Sequence, residues 1–133
     1  NERMRYRVIL GIGLDLVEME RIEKSLVRSR KFAERILTER ELSLFDNLST
    51  QRQIEFLAGR FAAKEAFSKA LGTGITEFSL QDVFVQNDNN GKPFLVVQNK
   101  ALEILNKKFG ECNIHISLSH EKEFAIAFVV IES

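Results

Sequence analysis

The first apolar segment of the chain, RVILGIGLDLVE at residues 7–18, follows the two-residue period of a β-strand. One face of the predicted strand is apolar and bulky, with Val8, Leu10, Ile12, Leu14 and Leu16. The opposite face has little bulk around its single carboxylate and carries Ile9, Gly11, Gly13, Asp15 and Val17. Glycines weaken a strand, and they often mark the close approach of a ligand or of another backbone.

Helical and strand periods alternate along the rest of the chain. Helical spacing predicts a helix at 17–27, short helices in KFAERIL and ERELSLFDNL, a long helix at 50–71 and a helix in KALEILNKKFG. Two hairpins are predicted, one from FSLQDVFVQ and PFLVVQ, the other from NIHISLSH and FAIAFVVIE. Thr38 and Thr50 have the positions of helix N-caps, and Gly72 has that of a C-cap.

These elements predict an α+β fold, with a mostly antiparallel sheet around one long central helix. A length of 133 residues suits a single domain at 1–133. We expect residues 1–7 to be either a native extension or a remnant of cloning ahead of the folded part.

The long helix contains GRFAAKEAFSKALGTG at 59–74, in which charges interrupt an apolar surface. On a helical wheel, one sector is bulky, with Phe56, Leu57, Phe61, Phe67 and Leu71, and another is small, with Ala58, Gly59, Ala62, Ala66 and Ala70. Glu65 and Lys69 lie at the edge of the small sector, whereas Arg60 and Lys64 project from the bulky side. One interpretation is tight packing against the sheet, with Glu65 and Lys69 as an i,i+4 ion pair worth about 0.2–0.5 kcal/mol.

A second interpretation is a site for a hard cation, because Asp15 and Glu65 each lie on a face that is free of bulk. Mg²⁺ is typically held by one or two carboxylates, with water and substrate phosphate as its other ligands. Lys69 would then neutralise phosphate charge, and the turn at 72–74 would offer backbone N–H groups. An alternative for Asp15 is an N-cap paired with Glu18 in a D-x-x-E box.

Composition and charge narrow the classes of partner. The formal net charge is zero, so no global field indicates nucleic acid. No apolar run reaches the roughly 18 residues of a membrane span, and no signal peptide is visible. The single cysteine, Cys112, allows no internal disulfide and fits a reducing compartment, so we expect a cytoplasmic protein.

Residues 21–40 carry seven basic and three acidic side chains, a local excess in a neutral chain. This excess would attract an acidic partner in a salt-dependent way, although a solvated helix face with mixed charges is the alternative. His115 and His120 have neither the spacing of a helical zinc site nor a supported Ser–His–acid set around them, so a structural role is the default for both.

Four segments resemble, in family order, the signature blocks of the AcpS-type holo-[acyl-carrier-protein] synthases, the small class of 4′-phosphopantetheinyl transferases. They are GIGLDLVEMERI, FAERILTERE, EFLAGRFAAKEAFSKALGTGI and HISLSH. The resemblance covers nearly the whole chain from about Val8, and the third segment is the most specific. It implies a 4′-phosphopantetheinyl transferase fold. It also implies a magnesium-dependent transfer of phosphopantetheine from coenzyme A to a serine of acyl carrier protein, in fatty acid biosynthesis.

The resemblance further implies roles for individual residues. Asp15 and Glu65 correspond to the metal ligands, and Glu65 and Lys69 to the catalytic groups. The residues that would contact coenzyme A are Arg60, Lys64, Lys69, Gly72 and His120. The alternative function is a non-catalytic adaptor on the same fold that binds a nucleotide or a carrier protein.

Partners and assembly are also implied. The helix after Asp15, with Arg21 and Arg28, corresponds to the surface that docks the acidic carrier protein. Members of this class are typically homotrimers with the site between subunits. A trimer agrees with the last predicted strand, which is apolar on both faces and therefore has to be covered twice. We expect a C3 trimer with coenzyme A in a cleft between two chains, and neither nucleic acid nor membrane as a partner.

Overall fold

The computed structural model describes residues 6–74 and 76–133, so residues 1–5 of the expected extension lie outside the described part. The elements are β1 (Ile9–Glu18), α1 (Met19–Arg28), α2 (Lys31–Ile36), α3 (Glu39–Asp46), α4 (Thr50–Leu71), β2 (Val83–Asn87), β3 (Pro93–Val97), α5 (Asn99–Phe109), β4 (Asn113–His120) and β5 (Phe124–Glu132). A single 3₁₀ turn, Leu80–Asp82, precedes β2. The predicted α+β class is confirmed.

The strands form two sheets, and every strand pair is antiparallel. One sheet has three strands in the order β1-β5-β4, and the other is the β2-β3 hairpin. In the larger sheet, Leu14 of β1 is opposite Phe128 of β5, and Ser117 of β4 is opposite the same Phe128. Strands β1 and β4 are therefore the two edges of this sheet.

The long helix α4 packs against β1 at unusually close range. A Cβ atom on Gly13 would lie 1.8 Å from the carbonyl oxygen of Ala66, and one on Gly11 would lie 1.9 Å from that of Ala70. Both alanines are buried. The tight-packing interpretation of the small sector is thus confirmed. The small sector was also predicted to leave room for a ligand. Beside Gly11 and Gly13 that prediction is wrong, because the backbone of β1 fills the room.

Strand β1 follows the strand period to its end, and the helix after it starts two residues later than predicted. The strand runs to Glu18, and α1 begins at Met19 instead of residue 17. Asp15 therefore lies inside the strand, opposite Ala127 of β5. Its interpretation as a helix N-cap is wrong.

Helix α3 has a hydrogen-bonded N-cap, whereas the N-cap of α4 makes no side-chain hydrogen bond. Thr38 Oγ1 accepts a hydrogen bond from the Glu41 backbone N–H, and Glu41 Oε1 accepts one from the Thr38 N–H, which completes a capping box. The N-cap of α4 is Ser49, one residue before the predicted Thr50. Gly72 ends α4 in the left-handed conformation, with φ of 87°, as a C-cap glycine commonly does.

The face of the three-stranded sheet that points away from α4 is apolar and exposed. We call it the outer sheet face, and it comprises Ile12, Leu14, Leu16, Ile126 and Phe128. Leu14 is 56% exposed and its partner Phe128 is 41% exposed. The opposite face of β5 is buried, as the alternation predicts, through Ala125, Ala127, Val129 and Ile131. Within the described ranges, no helix is both long and apolar enough to cross a bilayer.

Candidate active site

The crossing of β1 over α4 brings two of the predicted metal and phosphate residues into contact. Lys69 Nζ, on α4, donates to Asp15 Oδ1 at 3.0 Å and to the Leu14 carbonyl oxygen at 2.9 Å. Glu65 lies one helical turn before Lys69. The predicted i,i+4 pair between Glu65 and Lys69 is absent from the ion pairs of the described residues, since the ammonium bonds the strand instead.

The pKa of Glu65 indicates that its carboxylate and that of Asp15 are close enough to repel each other. Burial raises the pKa of Glu65 above its ordinary value, and repulsion from Asp15 raises it further, while Lys69 and Arg21 oppose the shift. A divalent cation between the carboxylates would relieve this repulsion, and an all-oxygen donor pair suits Mg²⁺. The described residues hold no group of three or more His, Cys, Asp or Glu side chains placed for a metal. Water and substrate would have to complete the coordination.

Two other predicted ligand residues, Arg60 and His120, line a cavity of about 260 Å³ between α4 and the end of β4. We call it the arginine cavity, and its lining is Leu48, Arg52, Glu55, Phe56, Gly59, Arg60, Leu118, Ser119 and His120. Arg52 was not singled out from the sequence. Its spacing with Phe56 and Arg60, at i, i+4 and i+8, places the three on one helix face and would have indicated it.

Arg60 is held in place by contacts within the chain. Its guanidinium carbon lies 4.1 Å from the centre of the Phe56 ring, and Nε lies 3.9 Å from Glu41 Oε2. Nε is buried and has no hydrogen-bond partner. Burial lowers the pKa of Arg60, while the Glu41 carboxylate opposes that shift. The stacking fixes the side chain at the wall of the arginine cavity.

Lys64, by contrast, is not available to a ligand. Its side chain is fully buried, and Nζ donates to the Ile36 carbonyl oxygen and to Glu41 Oε1, both at 2.6 Å. Burial lowers the pKa of Lys64, and the Glu41 carboxylate partly offsets the shift. The geometry contradicts the predicted contact of Lys64 with coenzyme A, because the ammonium joins α4 to α2 and α3 inside the core.

Gly72 is exposed at the C-terminal end of α4, three residues after Lys69. The Lys108 ammonium lies beside it and donates to the Leu71 carbonyl oxygen at 2.6 Å. A cation at this end of a helix offsets the partial negative charge of the last carbonyl groups. The turn after α4 is therefore less repulsive to an anion than a bare helix C-terminus.

The predicted ligand residues consequently form two groups. Asp15, Glu65 and Lys69 lie where α4 crosses β1, and we call them the carboxylate cluster. Arg60 and His120 lie in the arginine cavity beside β4. Strands β1 and β4 are opposite edges of the sheet, so the two groups border different edges.

The predicted docking residues Arg21 and Arg28 are both exposed on α1. They line an open depression of about 320 Å³ together with Glu18, Glu20, Lys24 and Ser25. Lys24 pairs with Glu20 at 3.2 Å, so the two arginines carry most of the uncompensated positive charge there.

Comparison with known proteins places this arrangement in a family. The family model described as the 4′-phosphopantetheinyl transferase superfamily matches residues 11–129. The chain belongs to this superfamily. Among relatives of this transferase superfamily, the holo-[acyl-carrier-protein] synthase of Geobacillus sp. (strain WCH70) is 50% identical over 94% of this chain and 98% of that protein. The protein of the same name from Bacillus subtilis (strain 168) is 49% identical over 94% and 97%.

Solved structures of the superfamily agree with the fold. A holo-(acyl-carrier-protein) synthase from Bacillus anthracis, crystallised in complex with CoA (3′,5′-ADP), is 51% identical, covers 94% of this chain and 97% of its own, and gives a TM-score of 0.79. The synthase from Neisseria meningitidis is 38% identical, covers 95% and 100%, and gives a TM-score of 0.84.

Proposed function

We propose that this chain is a holo-[acyl-carrier-protein] synthase, which transfers 4′-phosphopantetheine from coenzyme A to a serine of apo acyl carrier protein. Relatives that share half of its residues over nearly their full length carry that name. The observation in the chain itself that carries the proposal is the contact of Lys69 with Asp15 beside Glu65. A cation and two carboxylates at one place suit the pyrophosphate of coenzyme A together with Mg²⁺.

In this proposal Asp15 and Glu65 hold Mg²⁺, which when bound would stabilise the charge that develops on the leaving side of the pyrophosphate. The Lys69 ammonium adds a second positive charge to the same oxygens. The serine oxygen forms a bond to the β-phosphorus, and the bond from that phosphorus to the bridging oxygen breaks, so that adenosine 3′,5′-bisphosphate leaves. Glu65 is the proposed base, and it would take up the serine proton through a water molecule.

The proposed function includes a homotrimer in which the site lies between chains. Two observations support it: the exposed outer sheet face needs a cover, and the carboxylate cluster and the arginine cavity lie at opposite edges of the sheet. The cavity of one subunit would meet the cluster of its neighbour, with Gly72 beside that junction. Coenzyme A would then contact Arg60 and His120 of one chain and Lys69 of the next.

The exposed arginines of α1 are the proposed docking surface for the acidic carrier protein. Arg21 also lies within electrostatic reach of Glu65, as the opposing effect on the pKa of that carboxyl group indicates. A carrier protein bound at Arg21 and Arg28 would therefore lie next to the carboxylate cluster, where its serine has to react. A single cysteine and the role in fatty acid biosynthesis fit a cytoplasmic location.

The activity is tested by mass spectrometry of apo acyl carrier protein incubated with the chain, coenzyme A and Mg²⁺. A gain of one phosphopantetheine is expected, whereas an adaptor would produce none while a known synthase succeeds. Asp15→Ala and Glu65→Ala should each remove most transfer with the far-UV circular dichroism spectrum unchanged. Glu103→Ala, at an exposed position on α5, is the matched control and should retain activity.

The shared site is tested by complementation. Asp15→Ala chains and His120→Ala chains, each nearly inactive alone, are co-expressed so that mixed trimers form. In a randomly mixed ring, about one quarter of the junctions combine an intact cluster with an intact cavity, so about one quarter of wild-type activity should return. Mixtures no more active than the parents would mean that both groups of residues have to act within one chain, and the proposal of a site shared between chains would fail.

A further inference from the structure

A single buried carboxylate, that of Glu41, faces two cations of α4. The Glu41 side chain is 1% exposed, and its Oε1 accepts a hydrogen bond from Lys64 Nζ at 2.6 Å. Its other oxygen, Oε2, lies 3.9 Å from Arg60 Nε. One cation offsets the charge of one buried carboxylate, and Lys64 already does so at hydrogen-bonding distance. The pair is therefore complete without Arg60, and the position of the arginine has to be explained separately.

The burial of Arg60 is unfavourable for folding. Its side chain is 15% exposed, and Nε is buried with no hydrogen-bond partner among the described residues. Desolvation lowers the pKa of Arg60, which means that burial disfavours the charged form. A buried donor that loses its water partner without a replacement destabilises the fold. Such local conflicts are expected mainly at functional sites, where another requirement holds the group in place.

The Glu41 carboxylate is itself held in a fixed orientation. Oε1 accepts a second hydrogen bond from the Thr38 backbone N–H at 3.0 Å, and Oε2 accepts one from the Val85 backbone N–H at 3.2 Å. These two donors belong to the start of α3 and to β2, so the orientation of the carboxylate is set without any contribution from Arg60. Oε2 therefore presents a fixed negative charge to the buried Nε of the arginine.

An aromatic ring restrains the same arginine. The guanidinium carbon of Arg60 lies 4.1 Å from the centre of the Phe56 ring, one helical turn earlier on α4. Both residues line the arginine cavity, whereas Glu41 does not. A long side chain loses conformational freedom when it is fixed in one rotamer. The ring and the carboxylate thus keep in place a group that would otherwise sample several positions.

We propose that Glu41 is a positioning residue of the transfer reaction, whose buried carboxylate holds the Arg60 guanidinium at the wall of the arginine cavity before coenzyme A arrives. The inference rests on the proposed function, in which Arg60 contacts coenzyme A. Because the arginine is already in place, binding does not have to order it, and the affinity is correspondingly higher. Lys64 neutralises Glu41, so Arg60 retains its own positive charge for the ligand.

The test compares two variants that both break the buried pair, only one of which removes the carboxylate. Lys64→Met keeps Glu41 and should have the KM of the wild type for coenzyme A. Lys64→Met combined with Glu41→Gln removes the charge that faces Arg60 and leaves no buried ammonium unpaired. The KM of this double variant should rise about tenfold, which corresponds to an arginine that is in its binding position in about one tenth of the molecules. The kcat should change little, because the carboxylate cluster is not altered.

Three further measurements separate positioning from a general effect on the fold. In an Arg60→Ala, Lys64→Met background, the change Glu41→Gln should leave KM where it is, because the residue through which Glu41 acts is absent. Glu41→Asp with Lys64→Met should recover part of the affinity, because it restores the charge on a shorter side chain. In nitrogen-15 NMR of the protein without coenzyme A, the Arg60 Nε–H proton should exchange slowly with water in the wild type and in Lys64→Met, and faster once Glu41→Gln is added.

The inference is overturned by a folded Glu41→Gln, Lys64→Met protein with wild-type KM, and equally by a rise in KM that Glu41→Gln produces in the absence of Arg60. Should the double variant fail to fold, Glu41→Asp alone keeps a partner for Lys64 and takes over the test. It should raise both KM and the Nε–H exchange rate, and a wild-type value of either would overturn the inference. If the wild-type chain modifies no carrier protein, the proposed function fails, and the Nε–H exchange in the free protein still decides whether Glu41 holds Arg60.

Discussion

Replacing Lys64 by methionine removes the ammonium at the centre of the contact between α4 and its neighbours. Lys64 is fully buried, and Glu41 is 1% exposed. The carboxylate of Glu41 accepts hydrogen bonds from Lys64 Nζ and from the backbone N–H groups of Thr38 and Val85. Lys64 also donates to the Ile36 carbonyl oxygen. These bonds connect α2, α3, α4 and β2 through one pair of charges.

The expected loss of stability in Lys64→Met follows from the groups that lose their partner. Methionine has nearly the length of the lysine stem, so the main loss is the nearer of the two cations beside the buried Glu41 carboxylate, the other being Arg60 with its Nε at 3.9 Å. Removing one member of a buried ion pair costs about 3–5 kcal/mol, against a total stability of about 5–15 kcal/mol for a domain. We expect Lys64→Met to lie near the lower end of that range, because two backbone donors still bond Glu41. The melting temperature should fall by roughly 10 °C.

The assay is urea unfolding followed by far-UV circular dichroism, because the chain has no tryptophan and one tyrosine. The control is Lys24→Met, which breaks an exposed pair with Glu20 at 3.2 Å and should cost less than about 1 kcal/mol. The double variant with Glu41→Met should be less destabilised than the two single variants combined, with a coupling of about 2 kcal/mol.

Two results would refute this reasoning. One is a loss below about 1 kcal/mol for Lys64→Met, which is the size expected of an exposed pair. The other is strict additivity in the double variant. The same protein also tests the site assignment. Where Lys64→Met is folded, its KM for coenzyme A should equal that of the wild type, and a selective rise would return Lys64 to the ligand contacts.

Three other outcomes are expected. In metal-free protein, Asp15→Asn should lower the pKa of Glu65 in a carbon-13 NMR titration, because repulsion from Asp15 helps to raise it; an unchanged pKa would mean that the carboxylates are not close. Because folding raises the pKa of Glu65, its contribution to the free energy of unfolding falls as the pH rises from its pKa in the unfolded chain to its pKa in the folded chain. Arg21→Glu and Arg28→Glu should slow carrier association, less so at high salt, and spare coenzyme A binding; equal, salt-insensitive losses would contradict docking at α1. Gly13→Ala should cost about 1–3 kcal/mol or more in thermal unfolding, because its Cβ would strike a carbonyl oxygen of α4; wild-type stability would contradict that contact.

Local periodicity was enough to predict most of the elements and their burial. Strand β5 shows this well, since every second residue from Ala125 to Ile131 is buried and the intervening residues are more exposed. The capping box of Thr38 and Glu41 was predictable in part, because the N-cap residue type is visible in the sequence. Strand alternation and helix caps depend on residues at most four positions apart, so they can be predicted from the sequence alone.

Contacts between elements were harder to predict. Periodicity shows which face of a helix or strand is buried, but it does not show which other element packs against that face. The cleared face at Gly11 and Gly13 indicated close approach correctly, but the approaching group is the backbone of α4. Lys64 was assigned to coenzyme A from the family resemblance, although the helical wheel placed it on the bulky side. Its partner Glu41 lies 23 residues earlier on another helix, and no local pattern connects the two.

The division of the site also bears on the symmetry of the proposed assembly. In a twofold dimer the same patch of each chain meets itself. Such an interface at the β1 edge would place Asp15 and Glu65 against a second set of carboxylates, whereas one at the β4 edge would place the arginine cavity against its own cations. A closed ring instead joins two different surfaces head to tail, so that the β1 edge of one chain can meet the β4 edge of the next. Opposite charges would then face each other at every junction, and the ring would offer a cover for the outer sheet face. Charge separation across one sheet therefore favours a closed ring over a twofold dimer, the trimer being the proposed size of that ring, and an active monomer in sedimentation at assay concentration would rule out the assembly.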